Sequence, residues 1–253
     1  MQHATRSGRA VHPKAELQLA FQQALEQFLA SGVMRRIADG DFEAAHYAAV
    51  LREIYFYSRE DPQLQAFVTA WFKGDDRALV RGFLKHAVSE VGHDQLALAD
   101  LQALGVETSD LPAEFPLPTT VALTAFPYWA AQFVNPASYL GYLYFLEGLP
   151  TSAGSALIGA LSKAGIPQQA TSFLTEHATV DMAHVRLMDR YVDTLVRSDR
   201  DLADVRFAIE TTAKLYELMI DGAFAAVDAG RSDFGANLGE KDRLTVSPGR
   251  KAA

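Results

Sequence analysis

Apolar residues recur along this chain in steps of three and four, the period of a helix buried on one side. Leu17, Phe21, Leu25, Phe28 and Leu29 mark a first helix. Ala45, Val50, Leu51, Ile54 and Tyr55 mark a second, with Asp41 as its expected cap. Asp61-Pro62 opens a short third over residues 63–73. Gly74-Asp75-Asp76 opens a long fourth, weakened by Gly82 and Gly92, that ends at the glycine stop Leu104-Gly105. Its apolar residues, among them Leu79, Phe83, Val88, Leu98 and Leu101, spread around most of its circumference, which predicts burial. Residues 107–118, with prolines at 112, 116 and 118, form one long loop. Pro127, Pro136 and Pro150 then divide the chain into short helices. Residues 168–200 contain no glycine or proline and continue a helix opened near Pro167. Asp199 or Asp201 caps a last helix running to Ala229. Nothing alternates as a strand does. The pattern predicts an all-α, single-domain bundle of seven to nine helices over residues 15–230, with aperiodic tails at 1–14 and 231–253.

Composition narrows the class. A length of 253 residues suits one large helical domain. The net charge of -8 disfavours nucleic acid and anionic membranes as partners. No apolar run approaches the roughly 20 residues that span a bilayer, and residues 1–13 carry no apolar signal segment. Cysteine is absent, which removes disulfides, thiolate metal ligands and a cysteine nucleophile. A reducing cytoplasm is the expected compartment.

Two stretches carry chemistry. On one helix, His177, Asp181 and His184 share a face at spacings of four and three. His86, Glu90 and His93 repeat the spacing on another. Imidazoles and carboxylates converging in this way suit Fe, Mn or Zn. A single triad is as readily a packed or solvated polar face. Two triads on segments that must be buried are harder to explain so, because an uncompensated buried carboxylate costs several kcal/mol. Glu147, in the apolar run 139–150, is the third piece; it is either a helix-end carboxylate reaching solvent or a bridging ligand. Glu90, Glu147 and Asp181 would offset most of the charge of two divalent ions. His93, His177 and His184 would complete about six ligands.

Other polar residues are expected at the second shell or pocket: His86 behind the ligands, with Glu53 and His46 lining. Tyr55, Tyr57, Trp129, Phe133, Tyr142 and Tyr144 are candidate pocket walls, or plain core. Arg52 is a conceivable cation for a carboxylate substrate. Glu53, Glu90-x2-His93, Glu147 and Asp181-x2-His184 also fit a ferritin-like bundle. Against that, His177 would be surplus and the prolines would cut the helices short.

At these residues the sequence resembles the heme-oxygenase-like di-iron oxidases and oxygenases, the iron-containing redox enzymes, related in fold to the TenA/PqqC group. The likeness is carried by "EVGHDQLALADLQALG", "YFLEGLPTSAGSALIGAL" and "FLTEHATVDMAHV". That family's pattern is Glu-x2-His, a Glu on the next core helix, then His-x3-Asp-x2-His. The resemblance implies Glu90, His93, Glu147, His177, Asp181 and His184 as ligands of two reversibly bound Fe(II) ions. It also implies a seven-helix fold, activation of O2, and a small organic substrate such as a fatty acid or an amino-acid-like carboxylate. His86 stands where some members have a glutamate ligand, and no lysine follows Glu147 closely, so the layout is nearer the alkene-forming type than the self-sacrificing aminobenzoate type. The thiaminase branch shares only the helix pattern, because its cysteine is missing. The expected activity is that of a non-heme di-iron oxidoreductase. The rivals are a ferritin-like iron store and a heme oxygenase, and a homodimer is allowed.

Overall fold

Short helical segments join into a bundle wherever the apolar spacing predicts, and the computed structural model describes residues 12–178 and 182–230. Among these residues the α-helices are α1 (Pro13–Leu29), α2 (Gly32–Asp39), α3 (Ala44–Ser58), α4 (Asp61–Val68), α5 (Arg77–Glu90), α6 (His93–Ala103), α7 (Pro118–Trp129), α8 (Tyr139–Lys163), α9 (Ser172–Ala178), α10 (Met182–Leu195) and α11 (Asp199–Asp228). No strand occurs among them. The expected all-α class holds. His12 immediately precedes α1, and Pro13 and Lys14 already belong to it; the rest of both expected tails lies outside the described residues.

Several boundaries differ from the sequence pattern, each for a local reason. An extra helix, α2, starts where the Ser31 hydroxyl accepts from Met34 N. α3 is capped by Glu43 rather than Asp41, with the Glu43 amide donating to His46 Nδ1 at 3.0 Å. The long fourth helix is two helices. Val91 is extended and Gly92 has φ +99°, a value that a residue with a Cβ rarely adopts. Prolines 127 and 150 break nothing: both sit inside helices, and α8 runs 25 residues straight through Pro150. The last helix is capped by Ser198, whose hydroxyl accepts from Asp201 N.

α11 is the spine. It packs against α1, α3, α7 and α8. Phe28 of α1, Phe145 of α8 and Tyr216 of α11 meet with ring centroids 5.7–6.2 Å apart. Such aromatic contacts contribute about 0.5–1.5 kcal/mol each beyond simple burial. α3 is buried from His46 to Ser58 and leans on α6 and α11. α9 closes one end against α6 and α8. There the backbones come close, because a Cβ at Gly154 of α8 would sit 2.9 Å from the Ala178 Cβ.

Gly154→Val is therefore expected to push α9 off α8. Overpacking costs about 1–3 kcal/mol, and each kcal/mol lowers the melting temperature of a chain this size by about 2–4 °C. Calorimetry checks it; an unchanged melting temperature would mean that α9 already moves freely at this contact.

Candidate metal centre

The Gly92 turn shapes the site first. It ends α5 at Glu90 and starts α6 at His93, so the Glu-x2-His motif spans two helices. Glu90 Oε2 lies 2.7 Å from His93 Nδ1. One turn earlier on α5, His86 Nε2 lies 3.3 Å from Glu90 Oε1. Glu147 reaches in from α8, its Oε1 3.2 Å from the same His86 Nε2. α9 adds His177, whose ring meets that of His93 edge-on at 4.7 Å. His177 Nδ1 is 2.7 Å from the Phe173 carbonyl, four residues back, which makes Nδ1 the protonated nitrogen and leaves Nε2 as the donor for a ligand.

Two groups of donor atoms are thereby close enough to share an ion: Glu90, His93 and His177, and His86, Glu90 and Glu147. Glu90 belongs to both. Nitrogen and oxygen donors of this kind suit first-row transition metals, so the residues present fit iron. Asp181 and the side chain of His184 lie outside the described residues.

Electrostatics bind the group together without metal. Burial opposes charging His86, but hydrogen bonds to Glu147 and Glu90 outweigh it and raise the imidazole to about 9. Burial works the other way on Glu90, yet His86 and His93 hold its carboxyl well below the usual range. His93 is raised by its bond to Glu90. His177 is lowered by burial. The imidazolium of His86 thus stands between two carboxylates, where a cation is needed.

Glu90, His93, Glu147 and His177 line a largely apolar cavity of about 100 Å³, several times the ~10–15 Å³ that one water needs. Its apolar walls include Phe28, Ile37, Phe42, Ile54, Tyr216 and Phe224. The acidic and imidazole lining groups are Asp61, Glu90, His93, Glu147 and His177; among the described residues no lysine or arginine lines it.

Asp61 is the residue that sequence reasoning missed. It opens α4 and accepts a 2.6 Å bond from the Tyr142 hydroxyl. Burial, then the Glu90 and Glu147 charges, push its carboxyl up to about 8 despite that bond. In sequence it reads as an ordinary first-turn aspartate before proline. Its hydrogen-bond partner Tyr142 is 81 residues away, so no local spacing marks it.

Other expected site residues lie elsewhere. Glu53 is fully buried but binds Arg52, the Thr120 hydroxyl and Leu117 N, away from the cavity lining. Arg52 also binds Glu114 and the Phe115 carbonyl, so it does not serve the cavity. His46 pairs with Asp228 and stacks near Phe224, behind the cavity wall. Tyr55 packs under Arg59, and Tyr144 against Phe21. Trp129 and Phe133 are surface residues, 48% and 69% exposed. Of the candidate walls, Tyr57 lines the cavity and Tyr142 touches it through Asp61.

Comparisons with known proteins agree with this architecture. A heme-oxygenase-like domain of unknown function from Shewanella denitrificans is 24% identical with TM-score 0.80, over 90% of this chain and all of that one. A TenA homolog from Pseudomonas syringae is 15% identical with TM-score 0.70, over 85% of this chain and 93% of that one. A TenA homologue from P. horikoshii is 12% identical with TM-score 0.67, over 85% and 99%. At these identities the likeness shows a shared fold. No curated protein sequence matches the chain. No described helix is long and apolar enough to cross a membrane. The family description that matches, over residues 48–217, is iron-containing redox enzyme. That match covers more than half of the chain, and the chain belongs to the iron-containing redox enzyme family.

Proposed function

We propose that the chain is a non-heme di-iron oxidase or oxygenase, holding two labile Fe(II) ions and using O2 to oxidise a small organic molecule in the apolar cavity. The observation that carries this is the position of the donor cluster: Glu90, His93, Glu147 and His177 all line that cavity. Asp181 and His184 complete the proposed ligand set. Bound iron would supply the redox chemistry and the binding position for dioxygen.

The protein's own residues do the rest. Glu90 and Glu147 provide negative charge that neutral walls cannot. Phe173 fixes the His177 tautomer through its carbonyl. The apolar walls exclude water from the reacting groups. In the metal-free chain, Asp61 and His86 hold protons beside the carboxylates. Cations arriving there remove the reason for those protons to stay. With no lysine or arginine in the lining among the described residues, a carboxylate substrate would anchor at the proposed metal ligands, its apolar part lying along Ile54, Tyr216 and Phe224. The apolar walls favour substrate oxidation over iron storage, which needs a polar route for hydrated ions.

Saturating Fe(II) is expected to bind close to two ions per chain, measured by chelator-quenched iron assay. Glu147→Ala or His184→Ala should lower this toward one or zero. A stoichiometry of one, unchanged in Glu147→Ala, would remove the dinuclear site.

Metal uptake should release protons, and affinity should rise with pH from about 6 to 8, because protons on His86 and Asp61 compete with the ions. Without metal the sign reverses for His86. Its raised value means that its bonds to the carboxylates stabilise fully below about 6.5, its ordinary value, and are lost as pH rises through about 9. Calorimetric titration in buffers of different ionisation enthalpy counts the protons. Uptake with no proton release would overturn the competition.

Asp181→Asn should leave the apo melting temperature equal to or above that of the wild type, by relieving carboxylate repulsion, while most of the stabilisation by Fe(II) disappears. An apo protein that melts lower, yet is stabilised by Fe(II) as much as the wild type, would make Asp181 structural.

A further inference from the structure

Asp100 is fully buried, yet no lysine, arginine or histidine lies within ion-pair distance of it among the described residues. It sits on α6, seven residues after His93, and therefore on nearly the same face two turns along. Both its oxygens are used by one short element. Oδ1 accepts from Ser172 N at 2.9 Å and Ser172 Oγ at 2.5 Å; Oδ2 accepts from Phe173 N at 3.0 Å. These are the first amides of α9, two of the donors that a helix leaves without an intrahelical partner.

α9 is described over Ser172–Ala178, and its first two amides are held by Asp100. From there a chain of contacts runs to the donor atom. Asp100 Oδ2 holds the Phe173 amide; the Phe173 carbonyl holds His177 Nδ1; the Phe173 ring stacks on the His177 ring at 4.2 Å and 29°. His177 Nε2 is then left as the available donor.

We propose that Asp100 is the positioning residue of His177. It ties the helix that begins with His93 to the start of the helix that carries His177, and so fixes the tautomer and aim of the His177 ring. It acts through Phe173 and touches no reacting group. The proposal rests on the reading of His93 and His177 as metal ligands, but its first consequence concerns the metal-free ring.

Asp100→Asn keeps the shape and one acceptor oxygen while turning an NH2 group toward one of the donors. Two readouts follow. In the apo protein, long-range proton–nitrogen spectra of the imidazoles, with His177 assigned by its loss in His177→Gln, should show a single Nδ1-protonated form in the wild type and mixed tautomers in Asp100→Asn. Titration with Co(II) should show affinity falling about 10–100-fold, the usual loss when support behind a ligand is removed. An Asp100→Asn protein that melts lower but keeps the wild-type His177 tautomer and Co(II) affinity would overturn the proposal and leave Asp100 a simple helix cap. If Asp100→Asn does not fold, Ser172→Ala removes only the hydroxyl bond; about a threefold loss of Co(II) affinity is expected, and no change overturns the proposal. Failure of the wild type to bind Co(II) would instead defeat the metal reading, and the apo spectra would still decide whether Asp100 sets the His177 ring.

Discussion

The fold is arranged around a repulsion. Glu90, Glu147 and Asp61 converge in the lining of a largely apolar cavity, where like charges are poorly screened and poorly hydrated. Without compensation such a group would open or neutralise itself. Here it does the latter in two ways: His86 keeps a proton between Glu90 and Glu147, and Asp61 keeps its own. Those two protons sit where the proposed metal ions would bring positive charge instead.

The scaffold distributes the charged groups over five helices. α4 supplies Asp61, α5 and α6 supply His86, Glu90 and His93, α8 supplies Glu147 and α9 supplies His177. Asp61 opens α4, and Glu90 and His93 flank the Gly92 break, whereas Glu147 sits inside α8. α1, α3 and α11 carry none of these donors and contribute to the packed aromatic interior.

Much of this was legible in the sequence, and the misses have physical causes. Glu90, His93 and His177 stood out because three- and four-residue spacing projects side chains to one face, and that survives small errors in helix boundaries. Glu147 stood out because a lone charge in an apolar run is expensive. The Gly92 break was seen only as a weakness, since its φ of +99° depends on how α6 must turn to meet α3 and α9. Pro150 misled because a missing amide costs one rung, which neighbouring packing can offset. Trp129 and Phe133 misled because aromatic character does not say which side of a helix faces inward. Asp61 was hidden altogether: its role comes from Tyr142, 81 residues away, and no local pattern encodes that pairing.

The cavity has one further consequence, for how such a protein diversifies. Its acidic and imidazole groups come from α4–α6, α8 and α9, whereas Phe28, Ile37, Val50, Ile54 and Phe224 on α1–α3 and α11, with Phe42 between α2 and α3, are apolar wall. Exchanging a phenylalanine for a smaller residue in the second group leaves every donor atom where it was. Under the proposed function, descendants of this scaffold would gain new substrates by drift in the walls while keeping the donor set. The donor set would then be the slow-changing signature of the lineage, and the cavity walls the record of what each descendant consumes.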